Sequence, residues 1–244
     1  MSLITENDFS TRVFWFINKT IMKMKKLLRF ALLIFLVFVY ANTQAQVKFG
    51  PIVGLNLSTA TMEIDGEDWP MDNMLVGYHF GVVSEIPLIK NLSLQPGIIY
   101  SLKGYAYRMS LDFLGMHWDL KRTINVNYIE IPVNAVYCFG LGPVKISLLA
   151  GPYLAFAVSG VSIFFNETDN KLTHNKMTFG SGENDFQKAF DFGVNGGAGV
   201  NFRGLLISGQ YGFGLANIAS ESSVKSSNSI VKNRVIGISL SYLF

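Results

Sequence analysis

Eight segments of this chain alternate, residue by residue, between a bulky apolar side and a small or polar side. In the last of them, Ile238, Leu240 and Tyr242 share one side, whereas Ser239 and Ser241 share the other. Successive side chains of a β-strand leave opposite faces of the sheet, so a period of two predicts strands whose faces meet different surroundings. The segments are residues 47–58, 75–86, 92–108, 122–139, 144–160, 189–202, 205–215 and 236–244.

The pattern predicts that the apolar side of all eight segments carries no Lys, Arg, Asp or Glu. A charge that faces lipid at mid-membrane costs ~2–4 kcal/mol, so this pattern is typical of strands in a membrane. No apolar run reaches the roughly 20 residues of a spanning helix, and otherwise only a closed barrel satisfies its backbone hydrogen bonds in lipid. The sequence therefore predicts an all-β, closed, eight-stranded antiparallel up-and-down transmembrane β-barrel. A soluble two-sheet sandwich is the alternative.

The connections between the segments alternate in length. Residues 87–91, 140–143 and 203–204 form short turns, whereas the other connections are long and polar. Short periplasmic turns and long external loops are typical of bacterial outer-membrane barrels. Residues 109–118 are unusually apolar for an external loop. They either continue the two neighbouring strands as a hairpin, which we favour, or offer a surface to a partner. The long loops are residues 59–74, 109–121, 161–188 and 216–232.

The N-terminal part of the chain reads as an export signal. Residues 30–40 are continuously apolar, follow a basic stretch that includes Lys25 and Lys26, and precede Thr43 and Ala45. This order predicts a secretory signal peptide at residues 22–45, cleaved after Ala45, with a retained membrane anchor as the alternative. Signal peptides begin near their basic residues, so we interpret residues 1–21 as a mis-assigned extension. Residues 46–244 are then the barrel domain.

Cleavage would also change the charge of the chain. Residues 1–45 hold six of the 20 Lys and Arg and two of the 17 Asp and Glu, which leaves 14 basic and 15 acidic residues. The excess of positive charge therefore belongs to the export signal, and a nucleic-acid partner is not expected.

Several charged side chains fall on the inward side of the predicted barrel. The interior of eight strands is just filled by side chains, and isolated charges there are costly. We therefore expect an interior polar network, with Glu130 and Asp191 paired to Lys103 and Lys145; a catalytic or transport site is the alternative. The charged members of this network are Lys48, Glu85, Lys103, Glu130, Lys145 and Asp191.

No motif indicates a cofactor, a metal site or an enzyme. His79, His117 and His174 are scattered, and Cys138 is the only cysteine, which excludes an intrachain disulfide. Asp65 and Gly66 read as a turn. We expect neither catalytic residues nor cofactors.

Short motifs along residues 46–244 resemble the PorT-like outer-membrane β-barrel family of Gram-negative bacteria. Each motif is weak alone, but they occur in the family's order. The resemblance implies a fold and an outer-membrane location, and the family's namesake is tied to a protein-secretion system. The motifs are GLNLS (54–58), LSLQP (92–96), YSLKG (100–104), NYIEIP (127–132), AGPY (150–153), FDFG (190–193), YGFGLANI (211–218) and NRVI (233–236).

These observations lead to one functional hypothesis. We expect a monomeric, non-enzymatic outer-membrane protein with a plugged interior, which acts through its external loops as an accessory to secretion or envelope integrity. Its partners would be membrane lipid, the barrel-assembly machinery and an envelope or secretion protein. Tyr242 and Phe244 would form the assembly signal. The alternatives are a narrow pore or small-molecule-binding barrel, and then a hydrolase or acyltransferase at the barrel rim.

Overall fold

A computed structural model describes residues 46–113, 116–140, 142–166, 168, 170–180, 185–220 and 229–244 of the 244-residue chain. The predicted extension and signal peptide at residues 1–45 lie outside these ranges. Within them, no helix is long and apolar enough to cross a membrane. The strands are β1 (Lys48–Ile64), β2 (Glu67–Trp69), β3 (Leu75–Ile89), β4 (Leu92–Phe113), β5 (Met116–Phe139), β6 (Val144–Asn166), β7 (Lys171–Lys176), β8 (Phe190–Phe202), β9 (Leu205–Gly214) and β10 (Ser229–Tyr242).

Eight of the strands form a ring in which every neighbouring pair is antiparallel. The order is β1, β3, β4, β5, β6, β8, β9 and β10, and β10 pairs again with β1 from Ile52–Ser241 to Ile64–Ser229. Each of the eight predicted segments coincides with one of these strands to within two residues or lies inside it. The short strands β2 and β7 are additional. They pair with the last residues of β1 (62–64) and of β6 (161–166).

The connections define two ends of the ring. At one end, which we call the turn end, Arg203 and Gly204 join β8 to β9 with φ angles of 50° and 92°. At the opposite end, the hairpin end, β4 and β5 reach Phe113 and Met116. Asp65 and Gly66 form a two-residue turn there with φ angles of 54° and 87°, as the sequence predicts. Positive φ at both central residues identifies turns that match the twist of a hairpin.

The two faces of the ring differ as the alternation predicts. On the outward face Leu55 is 60% exposed and Ile238 is 58% exposed, whereas the inward Asn56 and Ser239 are 3% and 4% exposed. The outward apolar residues form a band around the ring, which runs from Phe49 to Leu57 on β1. This band is uncharged on every strand.

All four of the predicted long loops are partly strand. β4 and β5 pair continuously from Leu92–Tyr137 to Phe113–Met116, so residues 109–118 extend the hairpin, as we favoured. Likewise, β6 continues to Asn166 and pairs with β7. Beyond the band, the outward face does carry charges at the hairpin end. These are Glu63 on β1, Arg108 on β4, Asp119 and Lys121 on β5, and Lys232 and Arg234 on β10. Arg108 falls in the predicted segment 92–108, so the prediction of an uncharged apolar side is wrong at that position.

Candidate functional site

A buried ion pair lies inside the ring. Lys103 of β4 and Glu130 of β5 approach to 2.5 Å between Nζ and Oε2, and their side chains are only 4% and 11% exposed. The Lys103 ammonium also lies 4.4 Å from the centre of the Tyr153 ring and 5.5 Å from that of Tyr128. The ion pair and the two rings together compensate for the water that the ammonium loses.

Asp191 of β8 joins this group through Tyr153. The Tyr153 hydroxyl donates to Asp191 Oδ2 at 3.3 Å, and Asn233 Nδ2 donates to the same oxygen at 2.9 Å. Asp191 is fully buried, and its Oδ1 has no hydrogen-bond partner among the described residues. Lys103, Glu130 and Asp191 therefore belong to one cluster, which we call the charged cluster together with Tyr128, Tyr153 and Asn233.

Next to the charged cluster, a hydrogen-bond chain crosses four strands. His79 Nδ1 lies 2.8 Å from Asn56 Oδ1, and His79 Nε2 lies 2.8 Å from the Ser239 hydroxyl. Asn56 Nδ2 donates in turn to the Ser101 hydroxyl at 3.0 Å. A Cβ at Gly54 would lie 2.5 Å from the His79 ring, so this glycine makes room for the imidazole. These hydrogen bonds thus link β10 to β1, β3 and β4 where the ring closes.

An apolar layer covers the polar residues toward the hairpin end. Segments between the strands fold inward there, and the Gln187 side chain donates to the Tyr128 hydroxyl at 2.7 Å. The backbone of Lys188 donates to Ile218 O at 2.9 Å, and Ile218 N donates to Val231 O at the same distance. We call this layer the apolar cap. Its buried members are Ala60, Tyr105, Tyr107, Ile124, Val126, Ala155, Met177, Ala216, Ile218 and Val231.

Two smaller apolar clusters occupy the interior toward the turn end. One joins Ile52, Val83, Ile99 and Leu243, and the other joins Val136, Leu149 and Leu206. The polar side chains in the middle of the ring therefore have apolar layers on both sides.

The remaining predicted network residues lie at the turn end rather than in the charged cluster. Lys48 is the Cα partner of Glu85, and Glu85 Oε1 accepts a hydrogen bond from Ser93 at 3.1 Å. Lys145 is exposed and lines an open pocket of about 370 Å³ with Glu85 and Cys138. The prediction that Lys145 pairs with an interior carboxylate is therefore wrong. Lys145 is the second residue of β6, ten positions before Ala155, the Cα partner of Asp191.

A small cavity lies beside the charged cluster. It has a volume of about 70 Å³, and five amide side chains line it: Asn56, Gln95, Asn134, Asn195 and Gln210. The hydrogen bond between two of them, from Asn134 Nδ2 to Gln210 Oε1, is 3.5 Å long, and Asn134 Oδ1 has no partner among the described residues. A cavity of this size has room for several water molecules, and unpaired amides are the groups that bind them.

A surface ion cluster lies at the hairpin end, outside the band. Lys121 Nζ lies 2.6 Å from Asp72 Oδ2, and Arg108 Nε lies 3.4 Å from the same oxygen. The hydrogen bond from Lys121 is the largest cause that lowers the pKa of Asp72 to about 2. A hydrogen bond from the Asn73 backbone, the positive charge of Lys121 and a hydrogen bond from Arg108 act in the same direction. Asp72 N also donates to Ala106 O, so residues 70–74 are attached to β4.

The sequence predicts the Lys103–Glu130 pair but not most of the residues around it. Asn233 lies between the predicted loop at residues 216–232 and the last predicted segment, although the alternation of Ser239 and Ser241, continued backward, would place it inward. Gln187 and Ile218 follow no period, so no sequence signal identifies them. Among the described residues, no group of three or more His, Cys, Asp or Glu side chains could hold a metal ion.

Comparison with known structures gives matches of low identity. The Ail attachment invasion locus protein of Yersinia pestis is 13% identical, with 82% of this chain and 99% of that chain covered and a TM-score of 0.38. Neisserial surface protein A is 12% identical, with coverages of 80% and 97% and a TM-score of 0.35. OprG from Pseudomonas aeruginosa is 12% identical, with coverages of 81% and 94% and a TM-score of 0.38.

Comparison of the sequence with protein families is decisive. No curated protein is significantly similar to the chain. A family model described as outer membrane protein beta-barrel domain matches residues 41–220, about three quarters of the sequence. The chain therefore belongs to the outer membrane protein beta-barrel domain family and is a protein of the outer membrane.

Proposed function

We propose that the protein is a closed, eight-stranded transmembrane barrel of the PorT-like type that neither conducts ions nor catalyses a reaction. Its hairpin end would act on other envelope components as an accessory to secretion or envelope integrity. The pairing of β10 with β1 supports closure, and the uncharged outward band supports contact with lipid around a monomer. The PorT-like assignment is supported by the ordered motifs of residues 54–236.

The observation that carries this proposal is the filling of the interior. The Lys103–Glu130 pair lies between the apolar cap and the two clusters at the turn end. An ion that crossed the barrel would have to leave water and pass both apolar layers, which is costly for a charge. A plugged interior leaves the segments at the hairpin end as the surface on which other molecules can act.

We expect the purified protein to produce no regular ion-conducting steps in planar lipid bilayers. A porin prepared in the same detergent serves as the positive control, and protease protection in vesicles verifies insertion. Reproducible, ion-selective openings from the inserted protein would show that the plugged interior is wrong, and they would favour the narrow pore.

We further propose that Tyr242 and Phe244 are the signal that the barrel-assembly machinery reads. Both side chains point outward and are 49% and 73% exposed. The backbone of Phe244 also forms two hydrogen bonds with that of Phe49, of 3.0 and 3.2 Å, where the last strand meets β1. Deletion of Phe244 is expected to reduce the amount of protein in the outer membrane severalfold, while Phe244→Tyr preserves it. The stability of protein that has folded should change less. Equal outer-membrane levels of the deletion variant and the wild type would refute this role.

A further inference from the structure

An arginine is fixed at the boundary of the lipid-facing band near the hairpin end. Arg234 is the next outward residue on β10 beyond Ile236, the last apolar residue of the band on that strand. Its guanidinium lies 3.8 Å from the centre of the Phe213 ring, and Phe213 belongs to the band. Nη1 also donates to the carbonyl oxygens of Gly214 at 2.9 Å and Asn233 at 2.8 Å. The position of this charge is therefore set by three contacts.

Most of the donors on this guanidinium remain available. An arginine has five N–H groups, and the contacts with the two carbonyls use those of Nη1 alone. Within the described ranges, neither Arg234 nor its neighbour Lys232 forms an ion pair with a carboxylate. The fork of donors is thus held in place and has no charged acceptor in the part of the chain that the structure describes.

The surroundings of Arg234 suit an anion. Lys232 lies two residues further along the same outward face, so a second cation follows at roughly 7 Å along the strand. The Cα partners of Arg234 and Lys232 on β1 are Thr59 and Thr61, which add two hydroxyl donors to that face. Two cations and two hydroxyls form a patch, which we call the Arg234 patch, at the edge of an uncharged surface. The carboxylate of the same face, Glu63, lies two residues beyond Thr61, on the side of Lys232 that is away from Arg234 and from the band.

We propose that the Arg234 patch binds the phosphate group of a membrane lipid. A guanidinium fork matches a phosphate bidentately, and a basic site next to the lipid-facing surface recognises anionic headgroups. The lipid chains of such a ligand would lie along Phe213 and Ile236. This inference rests on the proposed transmembrane barrel, because only then is the band in contact with lipid.

The test compares variants in nanodiscs of phosphatidylcholine that contain a minor fraction of phosphatidic acid. Lipid retained by the barrel after mild extraction is identified by native mass spectrometry. We expect Arg234→Gln to retain roughly tenfold less phosphatidic acid than the wild type, since a charge-assisted hydrogen bond of this kind is lost. Arg234→Lys should retain an intermediate amount because it keeps the charge but not the fork.

Arg203→Gln is the matched control, because Arg203 also lies over an outward aromatic ring, Phe202 at 5.4 Å, but at the turn end. The inference would be overturned if Arg234→Gln and Arg203→Gln lost equal amounts of retained phosphatidic acid, or if Arg234→Gln retained as much as the wild type. So would binding of inorganic phosphate in detergent as tight as that of phosphatidic acid. If the protein inserts and folds but shows no lipid preference, only this inference fails; if it does not insert, the proposed barrel fails as well.

Discussion

Replacing Lys103 with methionine is expected to destabilise the folded barrel by about 3–5 kcal/mol. Methionine fills a similar volume, so the main consequence is that the Glu130 carboxylate stays buried without its 2.5 Å partner. The loss should appear in the free energy of unfolding, measured by reversible urea unfolding from lipid vesicles.

Two further variants separate the charge effect from a change of packing. Lys103→Met combined with Glu130→Gln removes the Glu130 charge together with its partner, so part of the lost stability should return. The Asp191 carboxyl then keeps its hydrogen bonds from Tyr153 and Asn233 but loses the nearby ammonium, so full recovery is not expected. Lys121→Met removes the surface pair with Asp72 and should cost at most about 1 kcal/mol, because exposed ion pairs contribute little. A cost below 1 kcal/mol for Lys103→Met, or no recovery in the double variant, would show that this pair does not stabilise the barrel.

The strand content and the inward or outward direction of each side chain could be predicted from the sequence. Each depends on a period of two, which the backbone of a strand imposes locally. This is why the alternation of Ser239 and Leu240 identifies the inner and outer faces of β10 correctly. The same rule fails beyond the band, because side chains there need not separate lipid from a polar interior. The segments 47–58 and 144–160 therefore end before β1 and β6 do, at Ile64 and Asn166.

The height of a residue within the barrel could not be predicted in the same way. Lys145 and Asp191 both belong to the inward face, but the register between strands decides whether their side chains meet. A shift of register by two residues leaves the inward and outward faces unchanged, so the alternation does not reveal it. The apolar cap could not be predicted from the sequence either. Gln187 and Ile218 lie in irregular segments whose burial depends on contacts with strands that are distant in the sequence.

Replacing Leu240 with arginine is the second change for which we expect a large effect. Leu240 is outward on β10 and is the Cα partner of Val53, in the middle of the band on β1. An arginine at the bilayer midplane costs ~2–4 kcal/mol of unfolding free energy, whereas near the interface it costs ~0–1 kcal/mol. Val144→Arg is the matched interfacial variant, since Val144 is outward, 50% exposed and the first residue of β6 at the turn end. Leu240→Met controls for the change of shape without a charge.

The difference in unfolding free energy between Leu240→Arg and Val144→Arg, measured in lipid vesicles, tests most directly whether the outward band spans the membrane. If it does, Leu240→Arg should be less stable than Val144→Arg by about 2 kcal/mol or more, and Leu240→Met should resemble the wild type. Equal costs at the two positions, or a neutral Leu240→Arg, would contradict a transmembrane barrel whose outer wall is this band.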